Sequence, residues 1–214
     1  MPEFAKKSFK VSAVKNRGMF PSHKSTHGMA YVDSILEVKY CHLLERDDCI
    51  VDFIAQPFKF RWEDQGVKFI YTPDFYVLYE NGSSEYVEVK LNKSKVSQDL
   101  NTKLKSFSEV YLPENEGAVG FTIVYENEIK KGNLIKNISF LFRFIRAPVL
   151  SVVEINKIVN VYGNRFTVTN AVRVIGDEYL DSIYSSVYFN VLCFDMINDL
   201  FTSSSVVEVA HEQA

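Results

Sequence analysis

Apolar residues recur along the chain with two different periods, and each change of period marks a new element. Leu36, Tyr40, Leu43 and Leu44 lie at helical spacing within 35–45, and Asp33 or Ser34 can cap the start, which predicts a helix. Glu37 advances about 100° from Leu36, to the edge of the apolar stripe near Leu44. Three strand-like runs follow: 50–62, interrupted by Pro57; 67–79, interrupted by Pro73; and 84–91. Asn81-Gly82 between the last two predicts a hairpin. In the last run Val87, Val89 and Leu91 share one face, and Tyr86, Glu88 and Lys90 share the other. A helix is expected over 96–112, with Leu100, Leu104 and Phe107 on one face, then a strand over 119–125; 134–146 fits a helix or a strand, with the helix favoured. The order is α-β-β-β-α-β, a sheet sandwiched by helices in the α/β class.

Pro148 marks an expected boundary, dividing the chain into domains 1–147 and 148–214. Beyond it the pattern predicts helices over 150–160, 168–176 and 180–193, a turn at Gly163 and a strand within 200–209. Three short helices and a terminal strand fit a small winged-helix-like module. Residues 1–30 read as a basic, irregular arm.

With 47% hydrophobic residues, the 214-residue chain has enough apolar material for a real core. No run approaches the length of a membrane span, and Lys6 and Lys7 precede no apolar core, so neither a membrane anchor nor a signal peptide is expected. The three cysteines and four histidines form no metal-binding spacing, which disfavours structural zinc and a disulfide framework and leaves a reduced cytosol as the expected compartment. The net charge of −3 is unevenly spread. Beyond residue 146 only Lys157, Arg165 and Arg173 stand against eight carboxylates, whereas Lys6, Lys7, Lys10, Lys15, Arg17 and Lys24 crowd the start. A nucleic acid would therefore meet the front of the chain, and the acidic end suits a protein partner.

The chemistry concentrates in Pro73-Asp74, in Glu88-Val89-Lys90 and in Glu37 upstream. Glu88 and Lys90 lie two apart on one strand face, and the hairpin brings Asp74 towards Glu88. Two converging carboxylates suit Mg²⁺, which takes a few carboxylates plus water and substrate phosphate oxygens. The Val89 carbonyl is a further candidate oxygen ligand, Glu37 can complete the shell, and Lys90 can place positive charge at the scissile phosphate. A second ion about 4 Å away would serve both ends of an in-line displacement. This is the pattern written PD-(D/E)xK. Lys15, Arg17, Lys24, Lys93 and Lys95 are the candidate DNA-backbone contacts. Glu45 reads as structural or supporting, and the histidines and cysteines as ordinary core or surface residues.

Several blocks in order resemble the TnsA family, the endonuclease subunits of heteromeric cut-and-paste transposases: Arg17-Gly-Met-Phe-Pro-Ser22, Ser34-Ile-Leu-Glu37, Leu44-Glu45, Gln56-Pro57, Tyr71-Thr-Pro-Asp74-Phe75 and Val87-Glu-Val-Lys90. The resemblance covers roughly the first two-thirds of the chain. It implies a restriction-endonuclease-like fold, a site of two Mg²⁺ ions (with Mn²⁺ as substitute) built from Glu37, Asp74, Glu88 and Lys90, and a supporting role for Gln56. It also implies cleavage of the 5′ strands at the ends of a transposon in double-stranded DNA, in a bacterial cytoplasm. A separate DDE transposase subunit, TnsB-like, would act on the 3′ ends, and a AAA+ regulator, TnsC-like, would dock on the C-terminal module. Two other readings share the residues: a stand-alone restriction or repair nuclease, and a nuclease-fold subunit kept mainly for assembly.

Overall fold

The computed structural model describes residues 18–92, 97–116 and 119–210. Its contacts divide the chain into two compact units that meet at Ile129/Lys130. The segment 130–147, expected with the N-terminal domain, thus packs with the C-terminal part, and Pro148 is an internal loop of the second unit.

The N-terminal unit opens with a hairpin of β1 (Gly18–Pro21) and β2 (Met29–Val32) where an irregular arm was expected. Helix α1 (Ile35–Arg46) follows, and the Ser34 hydroxyl caps it by accepting the Glu37 N–H. Its buried face is rotated from the expected stripe: Leu36 and Leu44 are buried, but so are Glu37, Cys41 and Glu45, each one turn from the next. The carboxylates tolerate burial because donors meet them. Glu45 accepts from the Ser22 hydroxyl (2.6 Å) and the His23 N–H (2.8 Å), tying the β1–β2 loop to the helix.

The central sheet has the order β3-β6-β7-β8, with β3 (Ile50–Ala55), β6 (Phe75–Tyr79) and β7 (Ser84–Lys90) antiparallel and β8 (Gly120–Tyr125) parallel to β7. A parallel pair needs a crossover, supplied here by α2 (Gln98–Ser106), one π-helical turn (Phe107–Tyr111) and α3 (Leu112–Asn115). The short α4 (Glu126–Ile129) closes the unit. The two prolines end strands as expected, but the pieces between them, β4 (Phe60–Asp64) and β5 (Val67–Tyr71), leave the sheet and pair as a separate ribbon.

That ribbon is held by an aromatic core. Phe60, Tyr71, Tyr86, Leu104, Phe107 and Leu112 are buried together, and the Phe107 ring contacts Phe60, Trp62, Tyr71, Tyr86, Tyr111 and Phe121. A polar tie adds direction: Trp62 Nε1 donates to Ser106 Oγ (2.9 Å), which donates to Asp64 Oδ2 (2.6 Å). Strand β7 is therefore covered on both sides, by α1 on one face and by the ribbon and α2 on the other.

His42, on α1, packs edge-on against Phe20 with ring centroids 4.8 Å apart. Burial pushes its pKa down to about 4. Because the unfolded imidazole titrates near 6.5, the unfolded state takes up the proton first. Stability is thus lost as pH falls from about 6.5 towards 4 and levels off below. The expected loss at pH 4.5 is about 2 kcal/mol relative to pH 7. Urea unfolding at both pH values should show a correspondingly smaller loss in His42→Gln, and an equal loss in the two proteins would refute this account.

The C-terminal unit contains α5 (Leu134–Leu141) with a following 3-10 turn, α6 (Val152–Tyr162), β9 (Arg165–Thr167), α7 (Val168–Ile175), α8 (Leu180–Tyr188), β10 (Leu192–Cys193) and β11 (Val206–Val209). The strands form an antiparallel sheet in the order β10-β11-β9. Ser151 and Glu154 make a capping box at α6, and Gly163 ends that helix with φ 77°. The start of α5 clasps the loop before Phe201. Asn137, 1% exposed, donates to the Met196 and Asp199 carbonyls (2.9 and 2.7 Å) and accepts from the Phe201 N–H (2.9 Å).

Candidate active site

The end of β6 creates the site. Ala55 pairs with Phe75, and one residue further Gln56 N–H donates to the Asp74 carbonyl (2.8 Å). Gln56 adopts the left-handed conformation (φ 51°), which turns the chain out of β3 towards Pro57. On the other side Phe75 pairs with Val87, and the next free ladder position is filled by a side chain: Val89 N–H donates to Asp74 Oδ2 at 2.7 Å. Pro73 helps by ending the preceding segment. Asp74 is thus fixed between β3 and β7, and the described contact of Val89 with the site runs through its N–H.

Glu88 sits beside it on β7, 4% exposed, with its two oxygens divided. Oε2 accepts from the Tyr71 hydroxyl at 2.5 Å, and Oε1 pairs with the Lys90 ammonium. The same ammonium lies 4.0 Å from Asp74 Oδ2. Sequence reasoning expected Asp74, Glu88 and Lys90 to converge, and they do. It missed Tyr71, although the residue lies in the same block as Asp74. Its phenol comes from the end of the ribbon, which the pattern did not separate from the sheet.

Glu37 is 6% exposed rather than at a solvated edge. Its Oε2 accepts from Asp33 N–H (2.9 Å) and its Oε1 from the Ser34 hydroxyl (2.7 Å), so much of its capacity is spent on its own helix start. It still belongs to the electrostatic site. Burial first, then repulsion from Glu88 and Glu37, pushes the Asp74 carboxyl up to about 8, against the pull of Lys90 and the Val89 N–H. Burial works to lower the Lys90 pKa, but Glu88, Asp74 and Glu37 outweigh it and hold the ammonium above its usual range.

Among the described residues no three His, Cys, Asp or Glu side chains stand in ligand geometry with one another. The donor set nevertheless fits a hard divalent cation. Asp74 and Glu88 are oxygen donors that already face one shared positive charge, and the buried Glu37 and Glu88 together with the part-buried Asp74 outnumber the single lysine. A second positive charge would relieve an existing imbalance.

The remaining candidates are less engaged with this site. Lys24 donates to the carbonyls of Leu44 (3.4 Å) and Asp47 at the end of α1, a position where a cation also meets the helix dipole. Burial lowers its pKa. That use competes with the phosphate contact expected of it. Lys15, Arg17, Lys93 and Lys95 lie outside the described residues. A cavity in the C-terminal unit is lined by Arg165 together with Asp195, Asp199 and Glu208, a balance unsuited to phosphate. No described helix is long and apolar enough to cross a membrane.

No curated protein matches the chain. Residues 47–131 match the family model described as TnsA-like endonuclease N terminal. Asp74, Glu88 and Lys90 fall inside that span, and Tyr71 does too, whereas Glu37 precedes it. This segment is therefore similar to the N-terminal domain of TnsA-like endonucleases.

Proposed function

We propose that the chain is a Mg²⁺-dependent endonuclease that cuts the 5′ strands at transposon ends, working with a separate DDE transposase subunit. The observation that carries this reading is the meeting of Asp74, Glu88 and Lys90 within the segment matched to TnsA-like endonucleases. Asp74 and Glu88 would hold the metal, with Glu37 and the Val89 carbonyl as further oxygen donors. When bound, the ion supplies charge stabilisation and an activated water for phosphodiester hydrolysis, and Mn²⁺ can substitute. The chain itself orients these donors: Val89 N–H fixes Asp74, and the ladder from Gln56 fixes its backbone. Lys90 presents its ammonium to an oxygen of the scissile phosphate, where negative charge grows during attack. The products are a 5′-phosphate and a 3′-hydroxyl.

The C-terminal unit fits this scheme as a winged-helix-like docking module. Its order α6-β9-α7-α8-β10-β11, with β11 between the other two strands, supports that reading. The part beyond Pro148 sets three basic residues against eight carboxylates, which favours a protein surface, such as that of a AAA+ regulator, over DNA.

The test is strand-resolved cleavage of DNA carrying transposon ends, in Mg²⁺, with and without the transposase subunit. Cleavage of the 5′ strands only when the partner is present is the expected result. Equal cleavage without it would instead support a stand-alone nuclease. No metal-dependent cleavage by an assembled complex would overturn the nuclease reading in favour of an assembly subunit.

A further inference from the structure

We infer that Tyr71 is a positioning residue for the metal site: its hydroxyl holds one oxygen of Glu88, leaving the other to face Asp74 and Lys90. The inference deepens the proposed nuclease reading and rests on it. The Glu88 side chain is buried on the face of β7 that meets the aromatic core, so protein groups must orient its carboxylate. Two described groups fix it from opposite sides. Tyr71 donates to Oε2 at 2.5 Å, and Lys90 pairs with Oε1. Lys90 is half-buried on a flexible stem and also serves Asp74. Tyr71 is anchored: its ring is buried among Phe107, Phe121 and the rest of the aromatic core, and its strand is paired residue by residue with β4. The rigid partner of Glu88 is therefore the phenol.

This assignment gives the detached ribbon a purpose. Phe60 opposes Tyr71 in its register, and the Trp62–Ser106–Asp64 tie secures the ribbon to α2. The aromatic core thereby transmits its rigidity to one carboxylate through one hydrogen bond. Groups that orient a metal-binding carboxylate typically alter metal affinity about 10–100-fold when removed. Tyr71→Phe removes the hydroxyl and keeps the ring, so packing should survive.

The experiment is direct Mn²⁺ binding to the full chain by calorimetry, in wild type, Tyr71→Phe, Glu88→Gln and the double variant, with circular dichroism to verify folding. Tyr71→Phe should weaken Mn²⁺ binding about 10-fold or more, and it should have little further effect in the Glu88→Gln background, because it acts through that carboxylate. Affinity of Tyr71→Phe within twofold of wild type would overturn the positioning role while leaving the nuclease reading intact. So would a Tyr71 effect that persists undiminished without Glu88. Absence of saturable binding by the wild type would overturn both.

Discussion

Asp74→Asn should abolish Mg²⁺-dependent cutting and at the same time make the protein more stable at pH 7. The two effects have one cause. Asp74 is a carboxylate placed beside two others under burial, and its carboxyl is pushed up to about 8. In the unfolded chain the same group ionises near 3.9. The unfolded state therefore sheds its proton first, and stability is lost as pH rises from about 4 to about 8. An amide keeps the acceptor for the Val89 N–H and carries no charge to repel Glu88 and Glu37. The expected gain is about 1–3 kcal/mol at pH 7, shrinking towards pH 4. Cutting should fall at least about 100-fold, because an amide is a poor ligand for a hard cation and the developing charge loses its stabiliser.

Lys90→Ala should lose cutting to a similar degree but move stability the other way. It removes the one cation that Glu88 and Asp74 share, leaving buried carboxylates facing each other. Thermal unfolding of both variants at pH 7 and pH 4.5, beside a nicking assay, reads out all of this. If both variants shift stability in the same direction at pH 7, the charge imbalance proposed for the site is wrong.

The second large effect lies in the C-terminal unit. Asn137→Leu should destabilise that unit by about 3–5 kcal/mol. The asparagine serves as a buried backbone substitute. Its amide group satisfies two carbonyls and its oxygen satisfies one N–H, all in the loop 196–201. Leucine matches it roughly in size and strands all three groups, each costing about 1–3 kcal/mol when buried. Hydrogen exchange on the full chain should show the Phe201 amide and its neighbours opening early, and chemical denaturation should show the unit melting at lower denaturant. A shift below about 1 kcal/mol would mean that the loop reorganises and finds other partners.

Those two sites also show where the sequence could and could not be read. Asp74, Glu88 and Lys90 were legible because alternation and an Asn-Gly turn dictate strand register, and register places side chains. Most element positions were legible for the same reason. The separation of β4 and β5 was not, since a proline shows where a ladder stops without showing which strand the next residues join. Tyr71 therefore had no visible target. Helical spacing puts Glu37 at the edge of the apolar stripe. Its burial depends on the Asp33 N–H and the Ser34 hydroxyl, a local arrangement that helical spacing does not encode. The division at Ile129/Lys130 was hidden as well, because Asn137 finds its partners some sixty residues further on.

Trp62, stacked on Phe69 in the ribbon, is the single tryptophan of the chain. Its emission is consequently a private signal of the N-terminal unit. A melting curve followed by tryptophan fluorescence will report when the N-terminal unit opens and will be blind to the C-terminal unit, whose loss must be followed by tyrosine absorbance or far-ultraviolet dichroism. Two probes with different midpoints would show that the units unfold independently, and coincident midpoints would show that they unfold together.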